Sequence, residues 1–158
     1  MTNEEIRPGT AADVPAVKAV TDAAYTPYIE RIGLVPRPME ADHAADVAVG
    51  KVFVTGAPAA DGAPGRAVAG LVVVEACADH LFLDSIAVHP EVRGTGVGGR
   101  LLRFVDAHAR ALGLPEVRLY THVMMWENQK IYPRHGYELV ERRADGAYER
   151  FHYRKRLD

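Results

Sequence analysis

The stretch "HPEVRGTGVGGRLLRF", residues 89–104, decides the fold. Four glycines fall between Gly94 and Gly99, directly ahead of an apolar helical run. Glycine accepts the left-handed backbone of tight turns and has no Cβ to block an approaching anion. The first amide N–H groups of a helix lack partners within it, and the helix dipole places partial positive charge there. A glycine loop that opens a helix, with Arg93 in front, therefore reads as a phosphate cradle. A turn that needs glycine only for its backbone angles would explain one glycine. It explains four beside an arginine less well.

Context removes two familiar phosphate loops. Gly94, Gly96 and Gly99 satisfy G-x-G-x-x-G, the dinucleotide fingerprint. That motif needs a carboxylate about twenty residues on, at the end of the next strand, for the ribose. Here Leu119 stands at that place, and the strand runs on through Tyr120-Thr121-His122 without a carboxylate. A Walker loop fails because no Gly-Lys-Ser/Thr follows.

Working outward, "LFLDSIAVH" leads into the loop as a strand, and "RAVAGLVVVEAC" before it reads as its antiparallel neighbour through the "ADH" turn. "KVFVTG" is a further strand, and "APAADGAPG" a hairpin connection. After the loop, Val97, Leu101, Val105, His108 and Leu112 make one helical stripe, with Arg103, Asp106 and Arg110 opposite and Gly113 and Pro115 at its end. "EVRLYTHV" is a strand and "ENQKIYPRHG" a short helix stopping at Gly136. "YELVERR" and "AYERFHYRKRL" form a hairpin around Asp145-Gly146. At the front, "EIRPGT" reads as a short strand. A helix follows it with Val14, Val17, Thr21 and Ala24 on one face, Asp13 as cap, Pro15 in the first turn and Gly33 as stop. "PRPMEADHAADVAVG" is a weaker second helix. The order is β-α-α-β-β-β-α-β-α-β-β, with no repeat or linker, so residues 1–158 are expected to form a single domain.

Composition narrows the function classes. Hydrophobic residues at 48% and charged residues at 25% describe a folded chain. A formal net charge of −2 gives no reason to expect nucleic acid or anionic lipid as a partner. Cys77 stands alone, so no internal disulfide forms, and it reads as a buried strand residue. The polar "MTNEEIRPG" is no signal segment, and no run is long enough to span a membrane. A soluble, cytoplasmic protein is expected. The seven histidines show no metal spacing. The basic run "RFHYRKRL" fits a last strand with a solvated face rather than an RNA contact.

"LFLDSIAVHPEVRGTGVGGRLLRF" resembles motif A of the GNAT superfamily of N-acetyltransferases, in which an apolar-Val-x-Pro strand end leads into R/Q-x-x-G-x-G/A and a helix. "EIRPGTAADVPAV" and "IYPRHGYELV" resemble the family's opening strand-helix and its motif B, so the likeness spans nearly the whole chain. It implies an α/β (α+β) fold with a mixed, mostly antiparallel sheet of seven strands flanked by four helices, two strands splaying apart to form an acetyl-CoA cleft. It implies acetyl-CoA as co-substrate and no metal. The pyrophosphate would lie on the amides of Arg93, Gly94, Thr95, Gly96, Val97, Gly98 and Gly99, and the pantetheine arm along Ile86, Ala87 and Val88.

Transfer of an acetyl group to an amine needs a route for the amine's proton, a donor for the oxyanion and an acid near the departing sulfur. The resemblance points to Tyr132 as that acid, four residues before Gly136. The competing role for Tyr132 is a core aromatic. The family's motif-B asparagine is replaced by Met125; Asn128 stands one helical turn later and is either a substitute coenzyme contact or a solvated side chain. Asp84, His122 and Glu75 are the alternatives for the base, with a water chain as the fourth. Tyr25, Tyr28, Glu30, Asp42 and Asp46 lie in the two helices that roof the acceptor site in this family. The implied activity is acetyl-CoA-dependent N-acetylation of a primary amine, on a small molecule or a peptide, by direct attack in a ternary complex. The alternative is a non-catalytic acyl-CoA-binding or sensing domain of the same fold. Many relatives pair through sheet edges, which sets a homodimer against a monomer.

Overall fold

The computed structural model describes residues 5–57 and 66–158. Seven strands form one open sheet in the order β1-β2-β3-β4-β5-β7-β6. β1 (Arg7–Pro8), β2 (Val52–Ala57), β3 (Arg66–Ala76) and β4 (Leu81–Val88) pair antiparallel in sequence. β5 (Glu116–His122) joins β4 in parallel, and β7 (Tyr148–Arg156) inserts between β5 and the edge strand β6 (Glu138–Asp145). The order of strands and helices is the one the periodicities predict. "EIRPGT" contributes only two strand residues, Arg7 and Pro8, with the Gly9 amide donating to the Val52 carbonyl at 2.8 Å just beyond them. The "APAADGAPG" connection lies almost wholly outside the described residues.

β3 explains the two layers. Its run "VAGLVVV", residues 68–74, is buried on both sides. Leu71 and Val73 face Val17, Val20 and Ala24 of α1 (Val14–Ile32). Val72 and Val74 face Val97, Leu101, Leu102, Val105 and Ala109 of α3 (Val97–Ala111). Alternation puts successive side chains on opposite faces, so an unbroken apolar run serves two helices. Gly70 belongs to the α3 face. A Cβ there would lie 2.9 Å from Val97 Cγ1 and 3.0 Å from Leu101 Cδ1, so glycine sets how closely α3 seats.

Several local expectations are corrected. Asp13 sits at the N-cap position of α1, but its side chain turns back, accepting from the Thr10 amide at 2.8 Å and pairing with Arg7 at 2.7 Å. The second helix breaks into a 3-10 turn at Arg37–Glu40 and a short α2 (His43–Ala48), where Asp42 accepts from the Ala45 amide at 3.0 Å. Asp106 is buried, not solvated: Lys155 of β7 donates to it at 2.5 Å. Leu112 is exposed and His108 half-buried, so the apolar stripe of α3 runs through Leu102 and Ala109 instead. Cys77 falls in the turn after β3, only partly buried. The basic run is not simply solvated either. β7 lies inside the sheet, and Arg150 and Tyr153 are buried.

Candidate active site

Parallel pairing of β4 with β5 is confined to Leu81↔Val117 and Phe82↔Arg118. Beyond that the strands splay. The register of β4 against β3 shifts between Val73↔Ser85 and Val74↔Leu83, which leaves Asp84 as the unpaired residue of a bulge. Bulges bend a strand and re-aim a side chain. This one lies where the gap opens, and Asp84 lines it.

Two cavities occupy the gap. One, of about 470 Å³, runs under the glycine loop and is lined by Val88, Arg93, Gly94, Gly96 to Gly99 and Ile131. The other, of about 210 Å³, is lined by Asp46, Asp84, Tyr120, His122, Tyr148 and Arg150. Tyr25, Ile86, Asn128 and Tyr132 line both.

The loop is built as an anion cradle. Gly94 and Gly96 have φ of 80° and 93°, the left-handed region, and a Cβ at either would meet only open space. Gly96 caps α3 without a side-chain bond, and the first backbone bond of the helix is donated by Arg100 to Gly96 at 3.0 Å. The amides of Val97, Gly98 and Gly99 therefore precede the helical ladder and point out of its end. The Arg93 and Thr95 amides are engaged within the loop, with the carbonyls of Pro90 and Val92. The Arg93 side chain is exposed and has no ion-pair partner among the described residues. Arg100 pins the first turn of the helix to β2, donating to Thr55 Oγ1 at 2.8 Å.

At the junction, Tyr132 is 6% exposed and packs against the rings of Tyr137 and Tyr153. Burial, then the neighbouring tyrosines, pushes its phenol well above the ordinary value of 10. It therefore stays protonated throughout the neutral range. Asn128 opens α4 (Asn128–Arg134) and donates to Thr121 Oγ1 at 2.9 Å, tying that helix to the end of β5. Met125, in the place of the family asparagine, is buried behind it. Tyr25 reaches across the gap and donates to the Ile86 carbonyl at 2.9 Å. Ile86 thus turns its carbonyl into the gap; strand alternation turns Val88 the same way and Ala87 toward Leu71.

The base candidates separate clearly. Asp84 is raised above its ordinary value by desolvation, then by Asp46 and Glu75, with Lys51 and Arg150 opposing. His122 accepts the Met124 amide at Nδ1, 3.0 Å, so its neutral ring carries the proton on Nε2 and has no lone pair for a substrate. Desolvation, then Arg150, lowers it further. Glu75 pairs with Lys51 at 3.1 Å and lines neither cavity. Of the helix residues singled out from the sequence, Tyr25 and Asp46 reach the cavities and Tyr28 the glycine-loop side, while Glu30 and Asp42 do not. Tyr28 also joins a clasp in which Arg31 pairs with Glu127 at 2.9 Å and lies 4.3 Å from the Trp126 ring centre. Sequence reasoning missed Arg150, which alternates with His152, Arg154 and Arg156 on what reads as a solvated face, and the Asp84 bulge; the sequence holds no signal for either. Among the described residues no cluster of His, Cys, Asp or Glu could hold a metal ion, and no helix is long and apolar enough to cross a membrane.

Known proteins share this architecture. PaiA N-acetyltransferase from Thermoplasma acidophilum, solved in complex with coenzyme A, superposes with a TM-score of 0.75 at 17% identity, over 97% of this chain and 98% of that one. Ard1 from Thermoplasma volcanium gives 0.70 at 17%, over 97% of each chain. The ribosomal-protein-S18-alanine N-acetyltransferase from Escherichia coli gives 0.66 at 15%, over 96% and 92%. At such identities the likeness is one of fold. In sequence, the uncharacterized N-acetyltransferase YjhQ of Escherichia coli (strain K12) is 43% identical over 57 residues, 36% of this chain and 28% of that protein. The family model for the acetyltransferase (GNAT) domain matches residues 50–139, which holds β2 to β5, the glycine loop, α3 and Tyr132. With more than half of its length matched and its sheet splayed at the expected place, the chain belongs to the GNAT acetyltransferase family.

Proposed function

We propose that the chain is an N-acetyltransferase that moves an acetyl group from acetyl-CoA to a primary amine by direct attack in a ternary complex. The observation that carries this reading is the meeting of two cavities at one tyrosine: the glycine loop lines one, Asp84 lines the other, and Tyr132 belongs to both. All seven strands lie in one sheet, which supports treating residues 1–158 as one domain.

The cradle fits a diphosphate. Unladdered amides at Val97 to Gly99, glycine at both left-handed positions and the uncommitted Arg93 supply donors and charge to an anion. Ile86 and Val88 offer strand-edge groups to an amide-bearing arm. Acetyl-CoA bound there would supply an activated acyl thioester. The chain's residues do the rest. Asp84 draws the acceptor ammonium into the smaller cavity and takes a proton from it, directly or through a water; its upward shift brings it nearer the range useful for a base. Tyr132 holds a proton at its phenol oxygen, available to the departing sulfur. The enclosing walls hold both substrates in line, which supplies much of the rate in such a transfer.

A panel of amines assayed for acetyl-CoA-dependent release of free thiol tests this reading. Turnover with at least one amine is expected, together with thermal stabilisation by coenzyme A that grows with concentration as RT ln(1 + [L]/Kd). Stabilisation without turnover on any amine would leave the chain a binding domain.

A further inference from the structure

Arg150 is out of place for a site that takes a simple amine. It stands on β7 opposite His122, its residue 6% exposed, and lines the smaller cavity together with Asp46 and Asp84. The guanidinium lies over two aromatic rings, 4.1 Å from the Tyr120 ring centre and 4.9 Å from that of Tyr148. Its one carboxylate partner is Asp145, at 3.2 Å from Nη1. That carboxylate also serves Arg143 at 3.0 Å and His152 at 3.3 Å, so the charge of Arg150 is only partly offset. Nε and Nη2 have no hydrogen-bond partner among the described residues and neither is fully enclosed, and the side chain that carries them lines the cavity. A buried cation with free donors in a fixed fork is arranged to receive a planar anion.

The opposite charge stands across the gap. Asp84 is on β4, two strands from Arg150 through β5 and across the splay, and both line the smaller cavity. Asp46 of α2 adds a second carboxylate to the same cavity, and the electrostatic influence of both Asp46 and Arg150 reaches Asp84. Arg37 stands at the rim, 5.5 Å from the Tyr148 ring centre. The cavity holds about 210 Å³, below the roughly 300 Å³ where drug-sized pockets begin.

Resting on the acetyltransferase reading, we propose that the acceptor is a small amino acid or close analogue, its amine at Asp84 and its carboxylate on the free edge of Arg150. A polyamine would set a second cation against that guanidinium, and an amine without an anion would leave its donors unpaired in the closed site.

The test compares kcat/KM for a set of L-amino acids with their amides and their decarboxylated amines. The carboxylate form is expected to be preferred by about thirtyfold or more, the scale of a buried charge pair losing one member. Arg150→Gln should collapse that ratio toward one through KM, and Arg150→Lys should restore it only in part, because a point charge lacks the fork. Circular dichroism and coenzyme A binding confirm that each variant is folded. Amides or bare amines acetylated as well as the acids, or a ratio that survives Arg150→Gln, overturn the inference and leave the acetyltransferase reading standing. No acetylation of any amine overturns both.

Discussion

Gly70→Ala links the packing of the sheet to the glycine loop. The added methyl would lie 2.9 Å from Val97 Cγ1, 3.0 Å from Leu101 Cδ1 and 3.2 Å from the Ala87 carbonyl oxygen. The carbonyl belongs to a paired strand and cannot yield, so α3 must ride up. Overpacking by one methyl costs about 1–3 kcal/mol. Reduced freedom of the unfolded chain returns about 0.4–1 kcal/mol, since Gly70 has an ordinary backbone. A net loss of about 1–2 kcal/mol lowers the Tm of a domain this size by roughly 2–8 °C. Val97 is the first residue of α3, so lifting it also displaces the amides of the cradle. Thermal melts with and without coenzyme A read both effects: a lower Tm for the free protein and a smaller shift on adding the ligand. Gly96→Ala is the contrast. It meets no atom, but it forces alanine into φ of 93°, a strain of about 1–2 kcal/mol, and should weaken coenzyme binding without disturbing the core. A Gly70→Ala protein with the parent's Tm and the parent's ligand shift would refute the packing argument.

Tyr132→Phe keeps the buried ring and removes the proton. Its kcat should fall by about 10²–10⁴, the usual worth of a general acid, with coenzyme Kd little changed; full activity would remove Tyr132 from the chemistry. Lys155→Met strands the buried Asp106, whose Oδ1 already lacks a partner, at a cost of about 3–5 kcal/mol. Adding Asp106→Leu should recover much of that in urea denaturation, and additive losses would show that the pair is not coupled. His43 is 6% exposed with both ring nitrogens unpaired, and desolvation, then Lys18, lowers its pKa below the ordinary 6.5. The unfolded chain therefore takes up the proton first, so this contribution to stability is full above pH 6.5 and drains away below it, down through the folded-state value. His43→Leu should flatten the fall in urea midpoint between pH 7.5 and 5, and an unaltered slope would count against the burial of a neutral ring. Tyr25→Phe frees the Ile86 carbonyl at a cost of about 1–3 kcal/mol to the free protein. If the coenzyme arm takes that carbonyl, the loss shrinks in saturating coenzyme A; equal losses with and without ligand would show that it does not.

What the sequence reveals follows the range over which each signal is written. The glycine loop and α3 are adjacent in the chain, so the cradle could be read from residues 93–99 alone. Tyr132 and Gly136 are one helical turn apart, and the order of strands and helices follows from local periodicity. Asp106 and Arg150 were assigned to solvated faces because a charged side chain is cheapest there. Lys155, the partner of Asp106, and the Tyr120 face under Arg150 come from other elements and leave no mark nearby; only Tyr148, two residues before Arg150 on β7, is local. Gly70 is visible as a glycine in a strand, a position that often marks a close approach. What approaches it is a helix that begins 27 residues later at Val97.

The splay that makes the site is the least local feature of all. Two strands that part leave edge groups without a ladder partner, and buried backbone groups must be satisfied somehow. Here the chain answers with side chains from other layers. The Tyr25 hydroxyl, from α1, takes the carbonyl of Ile86, and Asn128, from α4, secures Thr121 near the end of β5. Each bond spans the boundary between a helix and the sheet, and each falls on a residue that lines both cavities or supports one that does. These pairings flank the splay and lie at the junction where Tyr132 stands. A sheet zipped along its full length would bury Asp84 against β5 and leave no channel between the cradle and the smaller cavity. The open sheet is thus a condition of the proposed chemistry, and the contacts that flank it join segments far apart in the sequence.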